Sequence, residues 1–355
     1  MKTKPISYSQ KNAERFLLRI RALYRELPPV VTDYGVVLEN EHSPLTTLGY
    51  LQDIRLFFNY LLREVPSFAN CQMSTITVED IRRVTLTDLE RYQNYLSLYF
   101  REDAPDMPVR NAEAGKMRKL CSLRSFYQYL FEHELIPGNL ASLITLPKLH
   151  EKPIIRLEPN EVARLLDVAE SGEGLSDRQK TYAQHTRVRD VAILTLLLGT
   201  GIRVSECVGL NMDDLDFEEN SMFVVRKGGK EMILFFSDEV ADALKAYLQL
   251  RKDVQALSGH EEALFLSLQR RRITQRAIEN LVKKYAAVAA PLKRRISPHK
   301  LRSTFGTTLY NETGDIYLVA DVLGHADINT TKKHYVAMDE NRRRQAAKAV
   351  KLRED

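Results

Sequence analysis

Ser297-Pro298-His299-Lys300-Leu301-Arg302 is followed by Leu323-Gly324-His325 and then by Tyr335. One short C-terminal stretch thus offers two histidines, an arginine and a tyrosine. Upstream, Thr200-Gly201-Ile202-Arg203 adds a second arginine and Lys227 adds an ammonium. A guanidinium grips two phosphate oxygens in a fork. A histidine or lysine moves a proton in the transition state. A tyrosine hydroxyl, with a pKa near ~10, becomes a nucleophile only where neighbouring cations favour its phenolate. This set of residue types can hold a phosphodiester and attack it with Tyr335.

Each signal alone has a plainer reading. Arg203 can form an ion pair with Glu206, three residues on. Lys227 sits on a turn, where lysines are usually solvated, and Lys230 on the same turn can bind phosphate. His299 can be satisfied by its own helix end, and a lone tyrosine usually packs. The joint pattern is sharper, because every element falls at a structural break. Arg203 follows a Gly-Thr-Gly interruption, and glycines allow a sharp exit from a buried helix. Lys227 borders Gly228-Gly229 at a hairpin tip. Ser297-Pro298 suits a helix start, so His299 and Arg302 project from one face of the first turn, near amides that favour an anion. Gly324 reads as a helix C-cap, which leaves His325 in the loop beyond it.

The elements that must position these residues fall into two groups. Apolar periodicity predicts helices over 8–26, from Ser43, from Thr87, over 110–130, and a short one opened by Gly138-Asn139-Leu140. Pro28-Pro29 ends the first. The first 145 or so residues therefore read as all-helical. The stretch 146–156 has two prolines and no helical period, and reads as an extended linker. Beyond it, a helix follows Glu158-Pro159 and 171–186 reads as a polar loop. Val188–Leu198 reads as a buried helix, with another running from Arg203 through Val208. The β-rich runs 222–225 and 232–236 form a hairpin. Helices are expected over 238–252, 273–288, 298–311, 316–323 and 330–349. The division is 1–40, an N-terminal helical extension; 41–147, a helical domain; 148–156, a linker; and 157–355, the domain that carries the chemistry.

The chain has 355 residues, 44% of them hydrophobic and 28% charged, which suits two globular domains and excludes a disordered polymer. Its net charge is only +5, but from Gln269 to Arg302 basic residues crowd together and Glu279 is the one acid. A polyanion would be drawn to that surface. The three cysteines, Cys71, Cys121 and Cys207, make no CxxC pair, so no finger-type zinc site is expected, and unpaired thiols suit a reducing cytoplasm. The N-terminus lacks a signal-peptide core, and no run reaches the ~18 apolar residues of a membrane span.

TGIRVSE at 200–206, RKGGKE at 226–231, HKLR at 299–302, LGH at 323–325 and Tyr335 together resemble the tyrosine recombinase, or phage-integrase, family. The resemblance covers the second domain and extends more loosely to the first. It is Xer-like or like the integrases of mobile elements. In many Xer-type members the tyrosine falls nine residues after the LGH histidine; here His334 takes that place and Tyr335 is tenth. The resemblance implies a mainly α fold: a helical, SAM-like core-binding domain, then a mixed α+β catalytic domain with a small antiparallel sheet. It implies Arg203, Lys227, His299, Arg302, His325 and the nucleophile Tyr335 as catalytic residues, with Glu206 supporting Arg203. It implies neither metal nor cofactor nor ATP. The partner is a duplex DNA site, cut and rejoined by a homo-tetramer, alone or with a second recombinase, with no membrane and a nucleoid-associated cytoplasmic setting. The two domains would clamp the duplex. Candidate phosphate contacts are Arg110, Lys116, Arg118, Lys119 and Arg124 on the first domain, and Lys230, Arg270, Arg271, Arg272, Lys293, Arg294 and Arg295 on the second. Two rivals stay open: a DNA-binding regulator with a decayed site, and a metal-free ribonuclease using His299 and His325.

Overall fold

Several helices begin where a hydroxyl caps them, a later one at Thr274 among them. Ser43, Thr77 and Thr85 each accept a backbone N–H from the first turn of the helix that follows, and Asp80 and Asp88 return the bond to the backbone of Thr77 and Thr85. The computed structural model describes residues 8–101, 104–149, 155–226, 229–293 and 295–324. The chain divides into two compact units, Met1–Glu151 and Lys152–Asp355.

In the first unit α1 (Tyr8–Tyr24), α2 (Pro29–Glu41), α3 (Pro44–Glu64), α4 (Val78–Arg82), α5 (Leu86–Tyr95) and α6 (Glu113–Glu132) surround one core. Ile20, Tyr34, Leu51, Phe57, Phe58, Tyr92, Phe126 and Tyr127 fill it, and the rings meet tilted or edge-on. Residues of 8–40 thus share their core with the helices that follow them. Several elements differ from the sequence expectation. Pro29 does not merely end α1; it occupies the first position of α2, where its missing N–H costs nothing. The unit is also not all-helical. β1 (Leu98–Arg101) and β2 (Ala104–Arg110) pair antiparallel, with Leu98 opposite Arg110. β2 carries Pro105 and Pro108 and buries neither face, so it lacks the alternation by which a strand is recognised. Gly138-Asn139-Leu140 opens only a 3₁₀ turn, Leu140–Leu143, capped by the Asn139 side chain.

The second unit is built on α8 (Asp177–Thr200), which packs against α7 (Pro159–Ser171), α10 (Asp238–Lys252) and α12 (Pro298–Thr313). Its C-terminal half, Ala192 to Leu197, is buried on all sides. Its N-terminal half overturns the loop expected over 171–186: only Gly172 to Ser176 connects α7 to α8. The polar half of α8 buries a narrow stripe of Ala183, Thr186 and Asp190, too weakly apolar to register as a helical period. α9 (Val204–Gly209), α11 (Gln275–Ala289) and α13 (Ile316–Leu323) complete the helices. A sheet of β3 (Leu215–Asp216), β4 (Ser221–Val225) and β5 (Glu231–Phe235) runs in that order, all antiparallel, with Phe223 opposite Ile233. The fold is mainly helical with small antiparallel sheets, as expected. The helix expected over 330–349 lies outside the described residues. Among those residues no helix is long and apolar enough to cross a membrane.

Asp190 is 1% exposed and holds α8 to α11. It accepts from Thr186 Oγ1 at 3.0 Å, Arg189 Nη2 at 2.7 Å, Lys284 Nζ at 3.0 Å and Tyr285 Oη at 2.9 Å. Burial, then the Asp190 charge, pushes the Tyr285 hydroxyl far up, so it remains a donor. Asp190→Asn keeps the shape, removes the charge and forces an amide N–H among donors. It is expected to cost about 2 kcal/mol, read as a lower midpoint of urea unfolding followed by circular dichroism.

The three cysteines differ in access. Cys121 is exposed, whereas Cys207 is buried beside Glu206, and burial pushes its thiol up to about 12. Reactivity follows exposed thiolate. Iodoacetamide at pH 8 is therefore expected to label Cys121 in the folded protein and Cys207 only after unfolding, read by peptide mapping.

Candidate active site

α8 ends at Thr200, and Gly201 turns the chain with φ +61° and ψ +18°. A Cβ there would come to 2.4 Å from Phe305 Cδ1 and 2.9 Å from Leu323 Cδ2, so both the turn and its neighbours require glycine. The tight turn delivers Arg203 to the N-cap position of α9. Glu206 reaches back, accepting the Arg203 backbone N–H at 3.0 Å and its Nη1 at 2.9 Å. The Glu206 side chain is 3% exposed, so this is a buried orienting pair rather than a surface ion pair. Arg203 Nη2 continues to Gly324 O at 3.1 Å.

Arg302 arrives from the first turn of α12, where Pro298 holds the first helical position. Ser297 occupies the N-cap position, but its hydroxyl makes no capping bond. Arg302 is 5% exposed; Nη1 donates to Gly201 O at 2.6 Å and Nη2 to Leu323 O. Arg226, at the end of β4, comes from a third direction. It is buried, with Nη2 donating to Val322 O at 2.6 Å and Nη1 reaching Asp321 O at 3.5 Å.

Three guanidiniums from three elements therefore gather at the carboxyl end of α13. That end has carbonyls without intrahelical partners and the negative pole of the helix dipole, which explains why cations collect there. They are also crowded. Burial lowers the Arg226 pKa and nearby Arg203 lowers it further, against Glu206 and Asp321, which raise it. A fixed group of cations with few anions gains most from a multiply charged anion such as a phosphate.

Arg302, distant in sequence from Arg203 and Glu206, is brought with them to the carboxyl end of α13. Gly324 is the C-cap of α13, with φ +60° and ψ +52°. His299 lies exposed in the first turn of α12, where its carbonyl accepts from Ser303 Oγ at 3.0 Å. Lys227, His325, Tyr335 and Arg294 lie outside the described residues. Sequence reasoning missed Arg226, although it stands beside Lys227 in the RKGGKE segment; nothing about a buried arginine at a hairpin tip is periodic.

The candidate phosphate contacts divide. Arg110, Lys230, Arg270, Arg271 and Arg295 are exposed. Lys116 pairs with Glu113 at 3.0 Å. Arg118 forks onto buried Asp53, whose pKa burial raises against the pull of Arg118. Lys119 donates to Asn111 Oδ1 at 3.0 Å. Arg124 spans the carbonyls of Ala141, Ser142 and Ile144. Arg272 Nη1 reaches the carbonyls of Val208, Gly209 and Leu210, closing the end of α9. Lys293 bonds Arg156 O at 2.8 Å and Glu161.

Comparison with known proteins places this geometry. Residues 155–342 match the phage integrase family. The chain is 31% identical to the tyrosine recombinase XerC of Caldanaerobacter subterraneus over 90% of its own length and 86% of that protein's. It is 30% identical to the tyrosine recombinase XerS of Streptococcus thermophilus, over 90% of this chain and 95% of the other. Among solved structures, the XerH site-specific recombinase bound to its difH substrate superposes with a TM-score of 0.60 at 20% identity, covering 86% of this chain and 80% of that one. The matched region contains Arg203, Glu206 and Arg302 as well as the sequence positions of Lys227, His325 and Tyr335, and on this ground the chain belongs to the phage integrase family of tyrosine recombinases.

Proposed function

We propose that this protein cuts and rejoins duplex DNA at a specific site through a 3′-phosphotyrosyl intermediate. The observation that carries the reading is the meeting of Arg203 and Arg302 at the carboxyl end of α13, one residue before His325. Tyr335 Oη bonds to the scissile phosphorus as the bond from phosphorus to the 5′-oxygen breaks. His299 assists removal of the phenol proton, and Lys227 supplies a proton to the departing oxygen. Arg203 and Arg302 hold the non-bridging oxygens, where charge grows in the transition state, and His325 adds a hydrogen bond. Glu206 keeps Arg203 in place. The phosphotyrosyl link conserves the bond energy, so religation to the same or a partner strand needs no ATP. Exchange between two sites proceeds through a Holliday junction in a tetramer.

Exposed Arg110, Lys230, Arg270, Arg271 and Arg295, with Arg294 beside them in sequence, are the phosphate contacts we favour. Lys116, Arg118, Lys119, Arg124, Arg272 and Lys293 first brace the protein. Phosphate contacts position DNA and leave sequence to base-edge readout. The reaction would serve chromosome-dimer resolution, with its ties to partition and division, or the movement of an element; site selection from a random DNA pool identifies which.

The test is covalent trapping. The protein selects its site from that pool, a nick is placed beside the cleavage position, and the adduct is digested and mapped. An adduct on Tyr335 is the expected result. An adduct elsewhere, or none on any selected site, sinks the reading.

A further inference from the structure

Arg226 joins two segments that chemistry would have to keep in register. Its backbone N–H donates to Lys230 O at 2.7 Å, and its carbonyl accepts from Gly229 N at 3.1 Å. Arg226 therefore fixes the base of the hairpin turn whose next residue is Lys227. Its side chain crosses to α13 and donates to the carbonyls of Val322 and Asp321. Burial of a guanidinium is costly unless its donors are met; here carbonyls at a helix end meet both Nη groups, while Nε is buried without a hydrogen-bond partner. Gly324 makes the crossing possible. A Cβ at that position would stand 1.5 Å from Arg226 Nη1 and 2.6 Å from Cζ, far inside contact distance. The glycine thus serves a space requirement as well as its left-handed backbone.

We propose that Arg226 is a positioning residue for strand cleavage: it pins the β4–β5 turn to the carboxyl end of α13, and Gly324 lacks a side chain to admit it. This rests on the recombinase reading, in which Lys227 follows the pinned residue and His325 follows the glycine. The pin sets the distance between the proton donor for the leaving oxygen and the end of α13 that Arg203 and Arg302 also grip. A displacement of ~1 Å in such a constellation costs on the order of 10²-fold in rate.

The experiment uses the full-length protein and nicked duplexes carrying its selected site, with either oxygen or sulfur bridging the 5′ side of the scissile phosphate. A thiolate leaves without a proton, since thiols ionise near pH ~8.5. Wild-type protein must first form the adduct on the oxygen substrate; its failure there counts against the recombinase reading and not against the pin. Arg226→Met, which retains the buried methylenes, is expected to bind DNA as wild type and to cleave the oxygen substrate ~10²-fold more slowly. On the sulfur substrate it should approach the wild-type rate. Equal slowing on both substrates, or wild-type speed on oxygen, overturns the proposal; so does a fall in melting temperature with an unchanged sulfur-to-oxygen ratio. A second arm keeps the idea exposed if that variant folds poorly. Gly324→Ala should slow cleavage of the oxygen substrate in the wild-type background and by at least ~10-fold less when combined with Arg226→Ala. Additive effects would falsify the shared-space claim.

Discussion

Tyr335→Phe is expected to abolish covalent adduct formation, by on the order of 10⁴-fold or more, while leaving affinity for the selected duplex unchanged. The change removes one oxygen and keeps the ring, so any role in packing survives it. In the proposed mechanism that oxygen is the atom that bonds to phosphorus. An unaided phenol is mostly protonated at neutral pH, and forming its anion from pKa ~10 costs about 4 kcal/mol. In the proposed mechanism the charges of Arg203 and Arg302 offset part of this cost. The control is Tyr317, the tyrosine of α13, which is 69% exposed and lies before the LGH turn. Tyr317→Phe should trap DNA at the wild-type rate. If it fails while Tyr335→Phe still forms adducts, the nucleophile has been misassigned. The measurement also addresses the ten-residue step from His325 to Tyr335, in which His334 occupies the commoner place of the tyrosine: adduct on Tyr335 means that the segment absorbs one residue without losing reach.

What was legible depended on whether a residue's job is written in its neighbours. Gly201 and Gly324 announced helix ends because positive φ at a helix terminus favours glycine; Arg203 could be read from the first of these breaks, and Arg302 from the helix start at Ser297-Pro298. α10 was legible to the residue, with Ser237 and acids at its start and Arg251-Lys252 at its end. The first half of α8 was not, since its buried stripe is Ala183, Thr186 and Asp190 rather than leucines. The β1–β2 ribbon was hidden by the two prolines of β2 and by that strand's lack of a buried face. Charge was legible in sum and not in detail. Arg124 and Arg272 look like any other basic residue in the sequence, yet each spans backbone carbonyls left over where the chain turns. Sequence cannot tell a guanidinium spent on a carbonyl from one offered to a phosphate, because the carbonyl partner has no side-chain signature. Arg226 is the case with consequence: its partners are the main-chain atoms of Asp321 and Val322, far away in sequence.

Arg302 should show how closely folding and chemistry are joined at this site, and Arg302→Lys separates them. The lysine keeps the charge and loses the fork. One ammonium cannot span Gly201 O and Leu323 O as the planar guanidinium does. Leaving one buried carbonyl unmet costs about 1–3 kcal/mol, so a lower melting temperature is expected. The cleavage rate should fall by ~10²–10³-fold, because in the proposed mechanism this guanidinium also donates where phosphoryl charge develops. Single-turnover adduct formation at saturating protein, with binding measured separately on the uncut duplex, distinguishes the two losses. Arg302→Met gives the other limit: it fills the buried space without a charge or a donor, leaves both carbonyls unmet, and should melt lower than the lysine variant while cleaving more slowly still. Should Arg302→Lys cleave at the wild-type rate, Arg302 would be a brace between α8 and α13 rather than a phosphate ligand. The carbonyls of Gly201 and Leu323 would then be its whole purpose. The expected outcome is the opposite, because the helix end that draws three guanidiniums together leaves them with few anions, a deficit that a phosphate would fill.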